Sequence, residues 1–256
     1  MDNSTGYKEI YLSDYDGHRS IPLTSDRSIA LSPRISPDGT KVLYTSYKAG
    51  QPKLYLKDLR SGLTRKLSER KGLNIGAAWT PDGSKVALTL SIKGNPDIFL
   101  IDLDGRILER LTSHWGIDVS PSFSPDGKKM AFVSNRSGSP RLTFDGNYNT
   151  SPSWSRLNRI VYTSMNHGSF DIFTIDPEGG EPRQLTENQG NNEDPCWSPD
   201  GLPFIHHDGK WPESAPYYEG KRASKCPFLG SPIIDQIGIL HHYPLNYLLE
   251  IKSPAC

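Results

Sequence analysis

Apolar residues along this chain occur in short runs separated by polar turns. In one stretch, Trp79 precedes a Pro-Asp-Gly turn, two β-rich runs follow at 86–90 and 98–101, and Asp104-Gly105 leads into a last short run ending at Leu111. Runs of this length between Gly and Asp turns are typical of β-strands. The pattern predicts a four-stranded antiparallel sheet between Trp79 and Leu111.

The same pattern recurs along the chain at a fixed interval. A Ser or Thr before Pro-Asp-Gly stands at Ser36, Thr80 and Ser124, two steps of 44 residues, and a fourth copy stands at Ser198. Leu-Thr or Leu-Ser pairs beginning at 23, 67 and 111 keep the same step. Repeats of this length form propellers or solenoids. We therefore predict an all-β fold in which each repeat is one four-stranded antiparallel blade of a β-propeller.

One repeat is shorter than the others. Ser124 and Ser155 are 31 residues apart, which is 13 fewer than the regular step of 44. When Pro140 is aligned with Pro52, the counterpart of residues 53–65 is absent, and that segment holds a third strand and its turn. The sequence therefore predicts that one blade lacks a strand.

The repeat ends at Gly201, where the composition changes. Residues 202–256 hold four of the seven His, two of the three Cys and seven of the 21 Pro. Codons compatible with 202–227 spell a continuation of the repeat when they are read one base later. We therefore interpret residues 1–201 as the propeller repeats and 202–256 as a non-repeat tail, translated out of frame in this hypothesis, with little regular structure expected. If the tail is genuine, Pro-rich segments such as 211–216 form an interaction tail instead.

Charge and motifs exclude several classes of function. The 29 basic and 29 acidic residues cancel, so neither nucleic acid nor an anionic membrane surface is expected as a partner. No apolar run approaches the ~20 residues that span a bilayer, and residues 1–5 lack the basic and apolar parts of a signal peptide. Adjacent histidines at 206–207 and 241–242 point to opposite faces of a strand, and no Cys-x-x-Cys occurs, so no metal is expected. No nucleophile elbow, His-Glu-x-x-His or Walker sequence occurs, so neither catalysis nor a cofactor is expected.

Six further segments have sequences that are similar to those of one protein family. They are residues 8–17, 72–75, 87–91, 132–136, 142–149 and 191–194. With the Pro-Asp-Gly repeats, over about residues 7–201, they resemble the C-terminal β-propeller domain of TolB, of the bacterial Tol-Pal system. The resemblance implies a non-catalytic periplasmic protein that binds the lipoprotein Pal, contacts other Tol proteins, and serves outer-membrane integrity and cell division. Similar repeats occur in propellers attached to serine peptidases. A substrate-gating propeller and a decayed fragment without function are therefore the alternatives.

The resemblance also implies how complete the fold is. The family propeller has six blades, and this chain holds about four to five of them, one without its third strand. A propeller closes by pairing its first and last strands in one blade. Uncapped terminal repeats leave strand edges unpaired, so we expect an open arc that self-associates.

The predicted binding site lies on the connections that enter the first strand of each blade. Trp115 and Tyr148 offer apolar contact area there, and Asn side chains can form hydrogen bonds with the extended backbone of a partner. In the alternative interpretation, Asn and Gly only serve turns with positive φ. By resemblance, the stretches 73–76 and 117–119 align with loops that contact Pal. The predicted partner-binding residues are Leu73, Asn74, Gly76, Ile117, Asp118, Val119, Asn147, Tyr148, Asn149, Asn191, Asn192 and Glu193. The equivalent aromatic residues Trp79, Phe123, Trp154 and Trp197 are predicted to be core between blades.

Overall fold

The structure is a computed structural model of the chain. It describes residues 7–13, 20–136, 141–145, 148–166, 168–187, 191–197, 203–207, 217–218, 221–222 and 248–252. Asn147, one of the predicted partner-binding residues, lies outside this set. The described residues form strands joined by turns and contain no helix, so none of them offers a helix long and apolar enough to cross a membrane.

The strands follow one another along the chain in small antiparallel sheets. The first sheet pairs β1 (Tyr11–Ser13) with β2 (Ser20–Pro22). Three sheets have four strands in chain order within the described residues. One contains β3 (Ala30–Ile35), β4 (Lys41–Ser46), β5 (Lys53–Asp58) and β6 (Thr64–Ser68). The next contains β7 (Asn74–Trp79), β8 (Lys85–Lys93), β9 (Asn95–Asp102) and β10 (Ile107–Arg110). The third contains β13 (Tyr148–Trp154), β14 (Ile160–Asn166), β15 (Ser169–Ile175) and β16 (Arg183–Gln184).

The remaining described strands form shorter or composite sheets. Between the second and third four-stranded sheets, β11 (Asp118–Phe123) pairs with β12 (Met130–Ser134). The last repeat contributes β17 (Asn192–Trp197) and β18 (Pro203–His207), and a small hairpin contains β19 (Tyr217–Tyr218) and β20 (Lys221–Arg222). The final strand, β21 (Leu248–Lys252), pairs with β12. The predicted four-stranded antiparallel blades are confirmed.

The core lies between consecutive sheets. Trp79, at the end of β7, is buried with Leu43 and Leu54 of the preceding blade and with Leu88 and Phe99 of its own blade. Phe123 and Trp154 are buried in the two following clusters, and Trp197 packs against buried residues of β14 and β15. These aromatic residues therefore fill the spaces between blades, as predicted, because each first strand delivers a large side chain to the neighbouring sheet.

The Asp and Gly of the Pro-Asp-Gly motif stabilise the turns between first and second strands. The Asp82 carboxylate accepts hydrogen bonds from the Thr80 and Ser84 hydroxyls at 2.6 and 2.7 Å and from the Ser84 main-chain N–H at 3.0 Å. The Thr80 hydroxyl bond makes the largest contribution to lowering the pKa of Asp82 to about 2. Gly83 has φ +70°, which glycine adopts without strain. Asp38 and Asp126 are bonded in the same way, so the Asp and Gly of this motif serve the turn.

Strand structure continues past the predicted boundary at residue 201. Four strands, β18 to β21, fall within residues 202–256, where little regular structure was expected, and the rest of this tail lies outside the described residues. Two of them extend sheets begun by the repeats: β18 pairs with β17, and β21 takes the third position beside β12. Edge pairing uses main-chain groups, so it does not require a repeat sequence.

The two ends of the described propeller carry incomplete sheets. Sheet β1–β2 and sheet β17–β18 have two strands each, and the pairings among the described residues do not join them. Neither sheet has a third strand among the residues that the structure describes. Self-association through open strand edges stays a prediction.

Candidate partner-docking face

The first strand of every described repeat contains a bulge at the same position. Pairing with the second strand shifts register between Leu31 and Arg34, and the shift recurs in β7, β11, β13 and β17. One residue within each shift has a positive φ between 49° and 60°. These residues are Ser32, Gly76, Ser120, Ser151 and Asp194. Each first strand therefore bends at one defined point.

The sequence at the bulge favours this bend, and some neighbouring first strands contact each other there. Proline follows the positive-φ residue in four of the five strands, and proline suits a bulge because it has no N–H to pair. Consecutive first strands touch at these points: a Cβ on Gly76 would lie 3.3 Å from the main-chain N of Ser120, and the Ser151 hydroxyl donates to Asp194 Oδ1 at 2.5 Å. The bulge of β7 thus contacts that of β11, and the bulge of β13 contacts that of β17.

Antiparallel order divides the loops between two faces. The connections between blades and the hairpins between second and third strands lie on one side, which we call the connection face; residues 70–74, 91–95, 113–117 and 141–145 belong to it. The Pro-Asp-Gly turns and the turns between third and fourth strands lie on the opposite side, the turn face. Leu63, in the turn between β5 and β6, belongs to the turn face.

Asn74 organises the first of these connections from inside the protein. Its side chain is fully buried. Oδ1 accepts from the Ser68 hydroxyl at 2.7 Å and from the Arg70 N–H at 3.2 Å, while Nδ2 donates to the carbonyls of Pro52, Arg70 and Gly72 at 3.1, 2.8 and 3.0 Å. An amide can fill all these roles at once because it carries both donors and acceptors. Asn74 therefore fixes the path of residues 68–74.

Asp118 occupies, in the next blade, the repeat position that Asn74 has in its own blade. Its carboxylate is fully buried, accepts a hydrogen bond from the Ser134 hydroxyl at 2.7 Å, and pairs with the guanidinium of Arg136. Arg136 also stacks over the Phe132 ring, 5.2 Å from its centroid. A buried carboxylate needs such a partner because its desolvation is costly. The pair links the connection entering β11 to the end of β12.

Exposed apolar side chains stand beside these buried anchors. Trp115 is 69% exposed and Phe144 is 73% exposed, and they lie on consecutive connections. The His114 ring lies 5.0 Å from the Trp115 ring, and the Arg141 guanidinium lies 5.3 Å from the Phe144 centroid. Ile92, in the β8–β9 hairpin, is 43% exposed on the same face. Exposed aromatic residues on held loops are typical of protein-docking surfaces.

The β8–β9 hairpin ties neighbouring connections together. The Ser91 hydroxyl accepts a hydrogen bond from the Leu73 N–H at 2.8 Å, and the Asn95 side-chain amide donates to the Trp115 carbonyl. The loops at 73 and 115 are thus both attached to one hairpin. This reduces the conformational freedom that a partner would have to remove on binding.

Comparison with known proteins identifies the fold. The sequence model of the TolB beta propeller domain family, PD40, matches residues 1–210. The chain belongs to this family. The crystal structure of TolB from Acinetobacter baumannii superposes with a TM-score of 0.67 at 31% identity, over 75% of this chain and 52% of that one. The chain therefore spans about half the length of that TolB.

Curated relatives match over shorter segments. Protein TolB homolog from Chlorobaculum tepidum is 52% identical over 50 residues, which cover 20% of this chain and 12% of that protein. Tol-Pal system protein TolB from Roseobacter denitrificans is 50% identical over 46 residues, which cover 18% of this chain and 10% of that protein. The predicted resemblance to TolB is thus confirmed.

On this TolB-type propeller the predicted site residues separate into three groups. Asn74, Asp118, Asn149 and Asn192 are buried, at 1% exposure or less, so their side chains present almost no surface to a partner. Six others are half-buried: Leu73, Gly76, Ile117, Val119, Tyr148 and Glu193. Asn191 is exposed and accepts a hydrogen bond from the Phe170 N–H at 3.1 Å.

Two exposed residues of the connection face are not among the predicted site residues. Phe144 is as exposed on the connection face as Trp115, which was noted only as an apolar contact, and Ile92 is partly exposed there. Phe144 had a usable signal, since it follows the Leu142-Thr143 pair that ends a repeat and so begins a connection. Within the described residues, no cluster of three or more His, Cys, Asp or Glu side chains could hold a metal.

Proposed function

We propose that the connection face docks a protein partner of the Tol-Pal envelope system in the periplasm, with the lipoprotein Pal as the leading partner and other Tol proteins as further contacts. In this proposal the chain binds and does not catalyse. Membership of the TolB propeller family supports it, and so do the names of the relatives, which include a Tol-Pal system protein.

The observation that carries the proposal is the pair of exposed aromatic residues on consecutive, internally braced connections. Trp115 and Phe144 contribute large apolar surfaces, and truncation of such residues at the centre of an interface usually costs more than 1 kcal/mol. Buried side chains brace both connections. Asn149 donates to the carbonyl of Asp145, next to Phe144 in sequence, at 3.0 Å, and Asp118 pairs with Arg136 where the connection that carries Trp115 enters β11.

The test compares the two faces of the propeller. We expect Trp115→Ala and Phe144→Ala each to weaken binding of a soluble Pal domain, measured by calorimetry, by roughly tenfold or more. Leu63→Ala is the matched control, since Leu63 is 74% exposed but lies on the turn face. Unchanged affinity in both aromatic variants, with folding intact by circular dichroism, would remove the proposal.

A further inference from the structure

The blade that contains β11 and β12 has a strand position that its own repeat cannot fill. In the three complete blades, the second strand is paired on both sides, by the strands before and after it in sequence. After β12, only residues 135–140 separate Ser134 from Arg141. Six residues are too few for a turn, a strand of ordinary length and a second turn.

If no strand occupied this position, main-chain groups of β12 would lack hydrogen-bond partners. Residues 130–134 of β12 are buried, at 1% exposure or less. Main-chain N–H and C=O groups on a buried edge have no water to bond, so leaving them without a partner is unfavourable. The edge of β12 is therefore a strong acceptor for another extended segment.

The segment that occupies this position is β21, from the tail. It runs antiparallel to β12, and its register pairs Met130 with Lys252 and Ser134 with Leu248. The third strand β5 pairs with β4 over the equivalent five positions, from Val42 with Lys57 to Ser46 with Lys53. β21 also contacts β13 of the following blade. It thus occupies the same place in the propeller as a repeat-encoded third strand.

We propose that the gap beside β12 is a strand-acceptor site and that residues 248–252 of the same chain are its occupant. Addition of a strand to a sheet edge depends on main-chain hydrogen bonds, so a segment outside the repeat can serve. The segment also lies beyond residues 1–210, which match the family. This strand pairing does not depend on partner docking. It attaches the end of the tail to the propeller core.

Proline substitution in the full chain tests the pairing. Alternate residues of an antiparallel strand donate to a given neighbour, so either Leu249→Pro or Glu250→Pro removes a bond to β12. We expect amide exchange of residues 130–134, followed by mass spectrometry, to accelerate at least tenfold in one variant, while residues 85–90 of β8 keep their protection. A peptide of residues 246–254 should restore it. Ala255→Pro, beyond the strand, is the control. Unchanged exchange in both strand variants would overturn the proposal.

A disulfide trap tests the register without destabilising the strand. In a chain with Cys196, Cys226 and Cys256 replaced by Ser, we expect Val133→Cys with Leu249→Cys to cross-link, because these residues are directly opposed. Val133→Cys with Glu250→Cys, one residue out of register, should cross-link at least tenfold more slowly. Equal rates would contradict the pairing. Mixed isotope-labelled and unlabelled chains identify the donor: cross-links between chains would show that a second copy supplies the strand, which contradicts the intrachain assignment.

Discussion

The indole N–H of Trp79 donates a hydrogen bond of 3.0 Å to the main-chain carbonyl of Arg34, across the boundary between two blades. Trp197 makes the equivalent bond, of 2.8 Å, to the carbonyl of Ser153. The bulges in the receiving first strands lie close to these carbonyls, at Ser32 and Ser151. Each of these tryptophans therefore joins its own blade to the inner strand of the blade before it.

Substitution of Trp79 should separate the contributions of packing and hydrogen bonding. We expect Trp79→Phe to lower the free energy of unfolding by about 1–3 kcal/mol, because the Arg34 carbonyl loses its donor. Trp79→Ala should lower it by about 3–5 kcal/mol, because a cavity is added. Urea unfolding followed by fluorescence gives both values. Phe123 occupies the same repeat position without a polar N–H. Equal losses for Trp79→Phe and Trp79→Ala would contradict this division.

Asn74 should act as a brace for its connection. We expect Asn74→Ala to lower the free energy of unfolding by about 2–4 kcal/mol, because several buried partners lose their bonds. Amide exchange should accelerate in residues 70–76 in particular. Lys71→Ala, on the exposed side of the same loop, is the control and should change stability by less than about 0.5 kcal/mol. If both variants behave alike, Asn74 has no bracing role.

Gly76 should be sensitive to the neighbouring blade as well as to its own backbone. Both Gly76 and Gly50 have a positive φ, at 60° and 79°. A Cβ on Gly50 would meet nothing within 4 Å, whereas one on Gly76 would meet the main chain of Ser120. We expect Gly50→Ala to cost about 1 kcal/mol and Gly76→Ala at least about 1 kcal/mol more, in chemical denaturation. Equal losses for the two variants would show that the bulge at Gly76 in β7 is not in tight contact with the bulge at Ser120 in β11.

The turn carboxylates should make the protein sensitive to acid. The pKa of Asp82 is lowered from 3.8 to about 2, so the stabilisation from its charged form is complete above pH 3.8 and is lost as the pH falls through about 2. We expect Asp82→Asn to flatten the dependence of unfolding free energy on pH within this window. Asp104→Asn, which removes an exposed carboxylate from another turn, is the control. A slope identical to that of the unchanged protein would exclude Asp82 as a contributor.

Repetition explains why much of the fold could be predicted. The spacing of Ser36, Thr80 and Ser124 placed the turns, and the large residue before each turn identified the core between blades, because both features repeat with the structural unit. The partner of β12 could not be predicted in this way. Residues 134 and 248 are distant in sequence, and no periodic signal connects them.

The candidate site was predicted less completely, for a different reason. Sequence spacing places Asn74 and Asp118 on the connections, but it does not say whether a polar side chain turns outward or bonds to its own loop. The structure places both inside. Exposure of Phe144 and Ile92 depends on how neighbouring loops pack, which the sequence pattern does not specify.

Oxidative footprinting of the propeller with and without a soluble Pal domain shows which face binds the partner. Hydroxyl radicals modify exposed aromatic and aliphatic side chains, so each face reports on its own contacts. We expect Trp115 and Phe144 to become protected when the partner is present, while Leu63 and Leu157, exposed on the turn face, keep their reactivity. Protection of Leu63 and Leu157 with Trp115 and Phe144 still reactive would contradict docking on the connection face.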